Sequence, residues 1–488
     1  MKNFAVKSLV ILVAMLLSFA GTASARICIS DICIKGNKTT KSSIILREIP
    51  VKPGVFLSLE SLQGKVQKTR ENLRNTSLFN DVSVTYEPDT VSDASHLCIL
   101  ENNIKNSNTY KYGEEILFYR LVVDVSERWY YWPVVGLKLE ERNLSTWLKD
   151  MDFNKITFDA GVKIYNVWGL KHKLTLSGKF GFEKGAKLSY EDIAFDTKGV
   201  HSLSASAYYL YKKTINLDCQ DNRPVYIKNE RFLDKNVGGT ISYMFRPEIR
   251  IRHKVSFEYN YKKINDSVLI WNPNYYYTDR TSSYEMSLRY RYAYDQRDYV
   301  VYPTKGYYIG VHANATTADK FRFWYGNALI DAQYYHPLGK RWYASTALKF
   351  SASFKNRRAY IFDKAIGYDN GNVCGYEAYI IDGQHYVTSN NTLKFLLLPE
   401  KTLTLNFLKG MPKFNKIPFT VYTTLSVDMG FAYNKYKSQG NTLQNSFLMG
   451  AALGVDILTY YDIVFNVSYA YNILNKGSFI FGLKTTIF

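Results

Sequence analysis

The residues of this 488-residue chain that could carry out bond chemistry are few and scattered. Its seven histidines stand singly, and no Ser-His-Asp arrangement, Gly-rich phosphate loop or His-Glu-x-x-His zinc motif occurs. The five cysteines have no metal-type spacing with histidine. Cys28 and Cys33 fall on one expected strand, where they point to opposite faces and lie too far apart for a bridge. Cys98 is left to pair with one of them or to remain a buried thiol. The pattern therefore predicts no enzyme, no cofactor and no metal site. What the chain has in quantity is 42 Tyr, 28 Phe and 7 Trp, regularly interleaved with polar residues. That composition supports non-covalent chemistry, in which backbone hydrogen bonds are held in extended strands with one greasy and one polar face.

The elements that must position those residues follow from the alternation. Tyr284, Met286, Leu288, Tyr290, Tyr292 and Tyr294 alternate with Glu285, Ser287, Arg289, Arg291, Ala293 and Asp295. Ile463, Phe465, Val467, Tyr469 and Tyr471 alternate in the same way with Asp462, Asn466, Ser468 and Asn472. The period of two recurs over 203–211, 255–261, 307–315, 342–354 and 421–431, and reads as strands. Segments of about ten residues suit a tilted strand crossing a bilayer. A soluble sandwich would show the same alternation. The long strands, the lengthy polar loop expected over Asn216–Asp234 and the apolar C-terminal run favour a membrane barrel. Sixteen strands over 133–488 leave about 22 residues for each strand and connection, a workable figure.

Ahead of the barrel, Lys2 and Lys7, the apolar run Leu9–Leu17 and Ala23-Ser24-Ala25 predict a cleaved signal over 1–25. The run is too short for a membrane-spanning helix. Residues 26–132 then predict a small α+β domain in the order strand, helix, helix, strand, strand. Ile27–Ile34 forms the first strand, followed by a short helix around Ile44–Ile49. Ser58 or Ser61 caps a longer helix with Leu62, Val66 and Leu73 inward. Strands at Leu78–Val84 and Ile116–Val125 complete the domain.

That element order, with Gly36-Asn37, Arg47-Glu48, Gly54 and the Asn75–Phe79 run, resembles a POTRA domain. One such unit before a sixteen-stranded antiparallel outer-membrane β-barrel resembles the outer-membrane assembly-factor superfamily, the BamA/TamA and bacterial surface antigen group. Trp129-Tyr130-Tyr131-Trp132-Pro133 followed by Glu140–Leu144 is similar to the entry into the barrel in single-POTRA, Bacteroidota-type members. Asp295, Arg297 and Asp298 with Pro303 and Gly306 are similar to the mid-barrel hairpin. Val373, Cys374, Gly375, Tyr376 and Glu377 occupy the place of the Val-Arg-Gly-Phe/Tyr motif in a long extracellular loop folded into the lumen. Asp428 and Gly430 match the wall strand that anchors it. Cys374 stands where the family has arginine, so the usual loop-to-wall ion pair cannot form. By alternation Asp428 shares the lumen face with Tyr422, Thr424, Ser426 and Gly430, and a substitute cation is expected from Arg289, Arg291, Arg297 or Lys349.

The resemblance implies a protein of the bacterial outer membrane with its N-terminal domain in the periplasm. It also implies folding and insertion, or translocation, of unfolded outer-membrane proteins. Incoming strands would be templated by the POTRA sheet edge and by a seam between the first barrel strand, near Val134–Glu141, and the last, Ser478–Phe488, which includes Phe481, Gly482 and Leu483. Accessory lipoproteins are possible partners. The formal charge of +19 suits lipopolysaccharide phosphates and anionic head groups better than nucleic acid. A porin-like channel or a lipid-handling enzyme are the competing expectations.

Overall fold

The computed structural model describes residues 26–89, 116–139, 156–181, 183–229, 231–368, 371–406, 410 and 414–484. The expected signal over 1–25, Cys98, the Glu140–Leu144 run and Phe488 lie outside the described residues. The chain divides into two compact units, one of residues up to 36, 49–72 and 81–126, the other of 37–48, 73–80 and 127 onward.

The N-terminal elements are β1 (Arg26–Lys35), α1 (Ser42–Leu46), β2 (Phe56–Leu57), α2 (Leu59–Arg74), β3 (Phe79–Pro88) and β4 (Ile116–Glu127). Their sheet has the order β2-β1-β4-β3, with β1 parallel to β4. The two-residue β2 adds to the order expected from sequence. The Gly54 N–H donates to the Ile29 carbonyl at 2.8 Å and returns the chain alongside β1. Of the two candidate caps, Ser58 starts α2: its Oγ accepts from the Ser61 N–H at 3.2 Å. Leu62 and Leu73 are fully buried, whereas Lys68 and Arg70 face out. Cys28 and Cys33 are both free thiols.

The second unit is built on one antiparallel sheet of sixteen strands. These are β5 (Tyr131–Leu139), β6 (Ile156–Val167), β7 (His172–Gly181), β8 (Glu183–Ala194), β9 (His201–Lys212), β12 (Asp234–Glu248), β13 (Ile251–Ile264), β14 (Ser282–Asp295), β15 (Gly306–Ala318), β16 (Phe323–Pro337), β17 (Trp342–Lys355), β20 (His385–Thr404), β21 (Lys416–Tyr433), β22 (Phe447–Thr459), β23 (Ile463–Asn472) and β24 (Gly477–Lys484). Between them lie the hairpin β10 (Thr214–Gln220) and β11 (Arg223–Lys228), the helix α3 (Asp266–Trp271), and the short pair β18 (Lys364–Ile366) and β19 (Ile381–Asp382). The 216–234 stretch, expected to be a polar loop, therefore carries a hairpin. Ile215 and Leu217 give it an apolar side, and both are buried in a cluster with Leu233, Tyr277 and Phe323.

Along the strands of the large sheet the exposed face is the apolar one, the reverse of a soluble core. On β14, Tyr284 is 56% exposed while its neighbour Glu285 is 4% exposed. On β23, Phe465, Val467, Tyr469 and Tyr471 all lie on the exposed face. An outward apolar band with a polar interior is the arrangement lipid imposes, since hydrocarbon rather than water meets the outside. Among the described residues no helix is long and apolar enough to cross a membrane. Short turns close one end of the sheet. At the other end the long loops pack on each other around buried Tyr276, Tyr277, Tyr360 and Ile381.

Candidate functional site

Three of the wall positions lie in one row across neighbouring strands. Asp428 on β21 pairs with Gly450 on β22, and Gly450 with Asn472 on β23. The loop between β17 and β20 settles on this row. The Cys374 N–H donates to Asp428 Oδ2 at 3.1 Å. The Asn472 side-chain amide donates to the Gly375 carbonyl. The Gly375 N–H donates to Glu377 Oε1 at 3.0 Å, and Glu377 Oε2 accepts from the Ser478 hydroxyl on β24 at 2.9 Å. Val373, Cys374 and Tyr376 are buried.

Two wall glycines make the seat. A Cβ on Gly430 would stand 2.7 Å from Val373 Cγ2, and one on Gly450 would stand 2.9 Å from the Cys374 carbonyl carbon. Because neither has a side chain, the loop backbone comes close enough for its own amide to reach Asp428. This geometry answers the missing arginine. Arg289 pairs with Glu258 across β13 and β14, and Arg297 pairs with Asp295 at 2.7 Å. Among the described residues no ion pair reaches Asp428. The loop's contact to Asp428 comes from a main-chain donor, and a hydrogen bond from backbone to carboxylate is a charge-assisted one.

The mid-barrel hairpin forms a second site at the short-turn end. Arg297 grips Asp295 through both Nε (2.8 Å) and Nη2 (2.7 Å) and lies over the Tyr308 ring, 4.7 Å from its centroid. Asp298 accepts from the backbone N–H groups of Tyr299, Thr304 and Lys305 at 2.8, 3.0 and 3.2 Å and so closes the turn. The Pro303 carbonyl accepts from Lys394 Nζ at 3.3 Å. Gly306 sits at φ +103°, and a Cβ there would lie 2.9 Å from Arg297 Cα, so only glycine fits.

Segments from the N-terminal part of the chain are fastened to the same end. Glu48, just after α1, accepts from Arg246 Nη1 and Nη2 at 2.7 and 2.6 Å and lies 3.8 Å from Lys171. Burial pushes the Glu48 carboxyl up, but Lys171 and Arg246 outweigh it and hold the group down at about 2. Thr40 Oγ1 accepts from the Asn166 amide at 2.9 Å, and the Asn75 amide donates to the Asp298 carbonyl at 3.2 Å. Arg128 forms a bidentate pair with Asp462, at 2.7 and 2.9 Å. Sequence reasoning singled out none of Glu48–Arg246, Arg128–Asp462, Gly450 or Asn472 as site residues. Their partners are far apart in the chain, and only the strand register sets them side by side.

The terminal strands β5 and β24 stand at the two ends of the sheet order, and among the described residues no ladder joins them. Val135, Phe481 and Leu483 face outward. Gly482 faces in, beside Asn466.

Together, the sheet, the inward loop and the small N-terminal domain define a single-chain outer-membrane β-barrel. Residues 166–395 match the Omp85 superfamily domain, and residues 27–106 match the POTRA family described as surface antigen variable number repeat. The chain thus carries an Omp85 superfamily domain preceded by a POTRA domain, an organisation that puts the POTRA domain in the periplasm and the barrel in the outer membrane. Among solved structures, BamA from Haemophilus ducreyi lacking POTRA domains 1-3 is similar over 94% of this chain and 85% of that one, at 15% identity and a TM-score of 0.51. CdiB from Acinetobacter baumannii is similar over 94% and 74%, at 13% identity and a TM-score of 0.47. The BamA likeness is one of fold. No curated protein matches.

Proposed function

We propose that the protein folds and inserts, or translocates, unfolded outer-membrane proteins, using the edges of β5 and β24 as a lateral seam. What supports this reading is that β5 and β24, the first and last strands of the barrel sheet, stand at the two ends of its strand order. A strand edge in lipid carries bare N–H and C=O groups, each costing several kcal/mol when left unpaired. A client strand that pairs with such an edge keeps its own backbone satisfied as it enters the bilayer. On the periplasmic side, β3 is an edge strand of the POTRA sheet and suits docking by strand addition. The domain boundaries that go with this reading are 1–25 for the signal, 26–132 for the POTRA domain and 133–488 for the barrel. The reaction forms and breaks no covalent bond. Accessory lipoproteins and lipopolysaccharide phosphates are its further partners.

The long-loop end favours this over a diffusion channel, because its interior is filled by buried side chains around Tyr277 and Ile366. The test is depletion of the protein followed by quantitation of outer-membrane proteins. Loss of other barrels is the expected result. Unchanged levels, together with a large steady conductance of the purified protein, would replace this reading with a porin-like one.

A further inference from the structure

We propose that Arg128 and Asp462 form a periplasmic clasp that holds the base of the seam shut and sets how often it opens; the proposal rests on the lateral-seam reading above. Arg128 lies three residues before β5, the first strand of the sheet. Asp462 closes the turn that leads into β23, which pairs with the last strand, β24. The bidentate pair thus ties the foot of the first strand to the foot of the last hairpin.

The clasp is built rather than incidental. Both side chains are almost wholly buried, at 7% and 4% exposure. The carboxylate also accepts from the Tyr299 hydroxyl and, at 3.3 Å, from Ser77 Oγ, while Arg128 Nε donates to the Phe79 carbonyl at 2.7 Å. Tyr461 and Asp462 hold left-handed backbone at φ 57° and 63°. Non-glycine residues adopt that conformation only where the surroundings enforce it. The Trp129 N–H donates to the Tyr461 hydroxyl at 3.2 Å, and the Trp132 ring meets the Tyr461 ring edge-on at 4.8 Å. At the opposite end of the same hairpin, Ser478 and Asn472 are held by Glu377 and Gly375 of the inward loop. The hairpin next to the seam is therefore fastened at both ends. With the foot of the first strand tied to the foot of the last hairpin by ions, the clasp is a contact that must yield for the seam to part at its periplasmic side. Arg128, Asp462 and Tyr299 are positioning residues in this scheme, since none of them touches the client.

Asp462→Asn tests the clasp with little risk to the fold, because Asn tolerates left-handed backbone and keeps one acceptor oxygen. Tyr299→Phe, which removes one donor and no charge, is the milder companion. Purified full-length protein in lipid nanodiscs is followed by amide exchange in β5 and β24, with β15 and β16 as internal reference. The insertion rate of an unfolded porin into proteoliposomes is measured in parallel, per heat-modifiable barrel. In Asp462→Asn, exchange in the two terminal strands rises about tenfold against the reference, as a loss of about 1.4 kcal/mol from the closed state requires. The insertion rate per folded barrel changes with it, and Tyr299→Phe gives a smaller shift of the same sign. A folded Asp462→Asn barrel with unchanged terminal-strand exchange overturns the clasp, as does raised exchange with an unchanged insertion rate. A wild-type protein that inserts nothing overturns the lateral-insertion reading instead, and the exchange comparison still decides whether the clasp holds the two strands.

Discussion

Replacing Gly450 by alanine tests the seat of the inward loop most directly. The added Cβ stands 2.9 Å from the Cys374 carbonyl carbon and closer still to its oxygen, well inside van der Waals contact. The obstacle is backbone, so the loop must retreat by on the order of 1 Å, and overpacking of this kind costs about 1–3 kcal/mol. The retreat also stretches the 3.1 Å hydrogen bond from Cys374 to Asp428. A hydrogen bond to a charged group contributes roughly 1.5–3 kcal/mol. The two effects together put the loss at about 2.5–6 kcal/mol. The assay is the temperature at which the folded barrel loses its compact gel mobility, with protease cleavage of the 356–384 loop scored alongside. A fall of several degrees and faster loop cleavage are expected. Gly339→Ala, in a short turn where a Cβ meets nothing within 4 Å, is the matched control. If the two variants melt and cleave alike, the loop is not seated on Gly450 and the account of the missing arginine fails.

Asp428→Asn retains an oxygen for the Cys374 N–H and should lower the melting temperature only slightly. Asp428→Leu leaves that buried amide unpaired at about 1–3 kcal/mol and should release the loop to protease. Glu48 titrates lower in the folded protein than in the unfolded chain, so its clamp on Arg246 contributes fully above about pH 4.5 and is lost as pH falls toward about 2. The difference in melting temperature between wild type and Glu48→Gln should therefore be present at pH 7 and vanish by about pH 2; a difference independent of pH would contradict the clamp. Gly306→Ala should destabilise the mid-barrel turn by about 1–3 kcal/mol, visible as slower barrel folding in detergent, because only glycine fits that backbone.

Much of the barrel was legible along the chain because its side-chain period is local. Tyr284 and Glu285 fall on opposite faces wherever the strand sits, and hydropathy marks which face meets lipid. The helix of 59–74 was readable for the same reason, from a serine cap and an apolar stripe. Residues 216–234 misled because the apolar side of their hairpin, Ile215 and Leu217, is short and is covered by residues distant in the chain, Tyr277 before β14 and Phe323 at the start of β16.

The motif residues Val373–Glu377, Asp428 and Gly430 could be found in order, yet what replaces the arginine could not. Sequence supplied candidate cations for Asp428, whereas the fold pairs Arg289 with Glu258 and Arg297 with Asp295 and offers a backbone amide instead. The amino-acid sequence by itself determined the strand period, the face each residue takes and the two-part plan of the chain, because these depend on neighbours one to four residues away. Register, the glycine seat at 430 and 450, and the joining of Arg128 to Asp462 across 334 residues were decided only by tertiary structure. They depend on which strands lie side by side and at what height, and that is settled by pairing across the whole sheet.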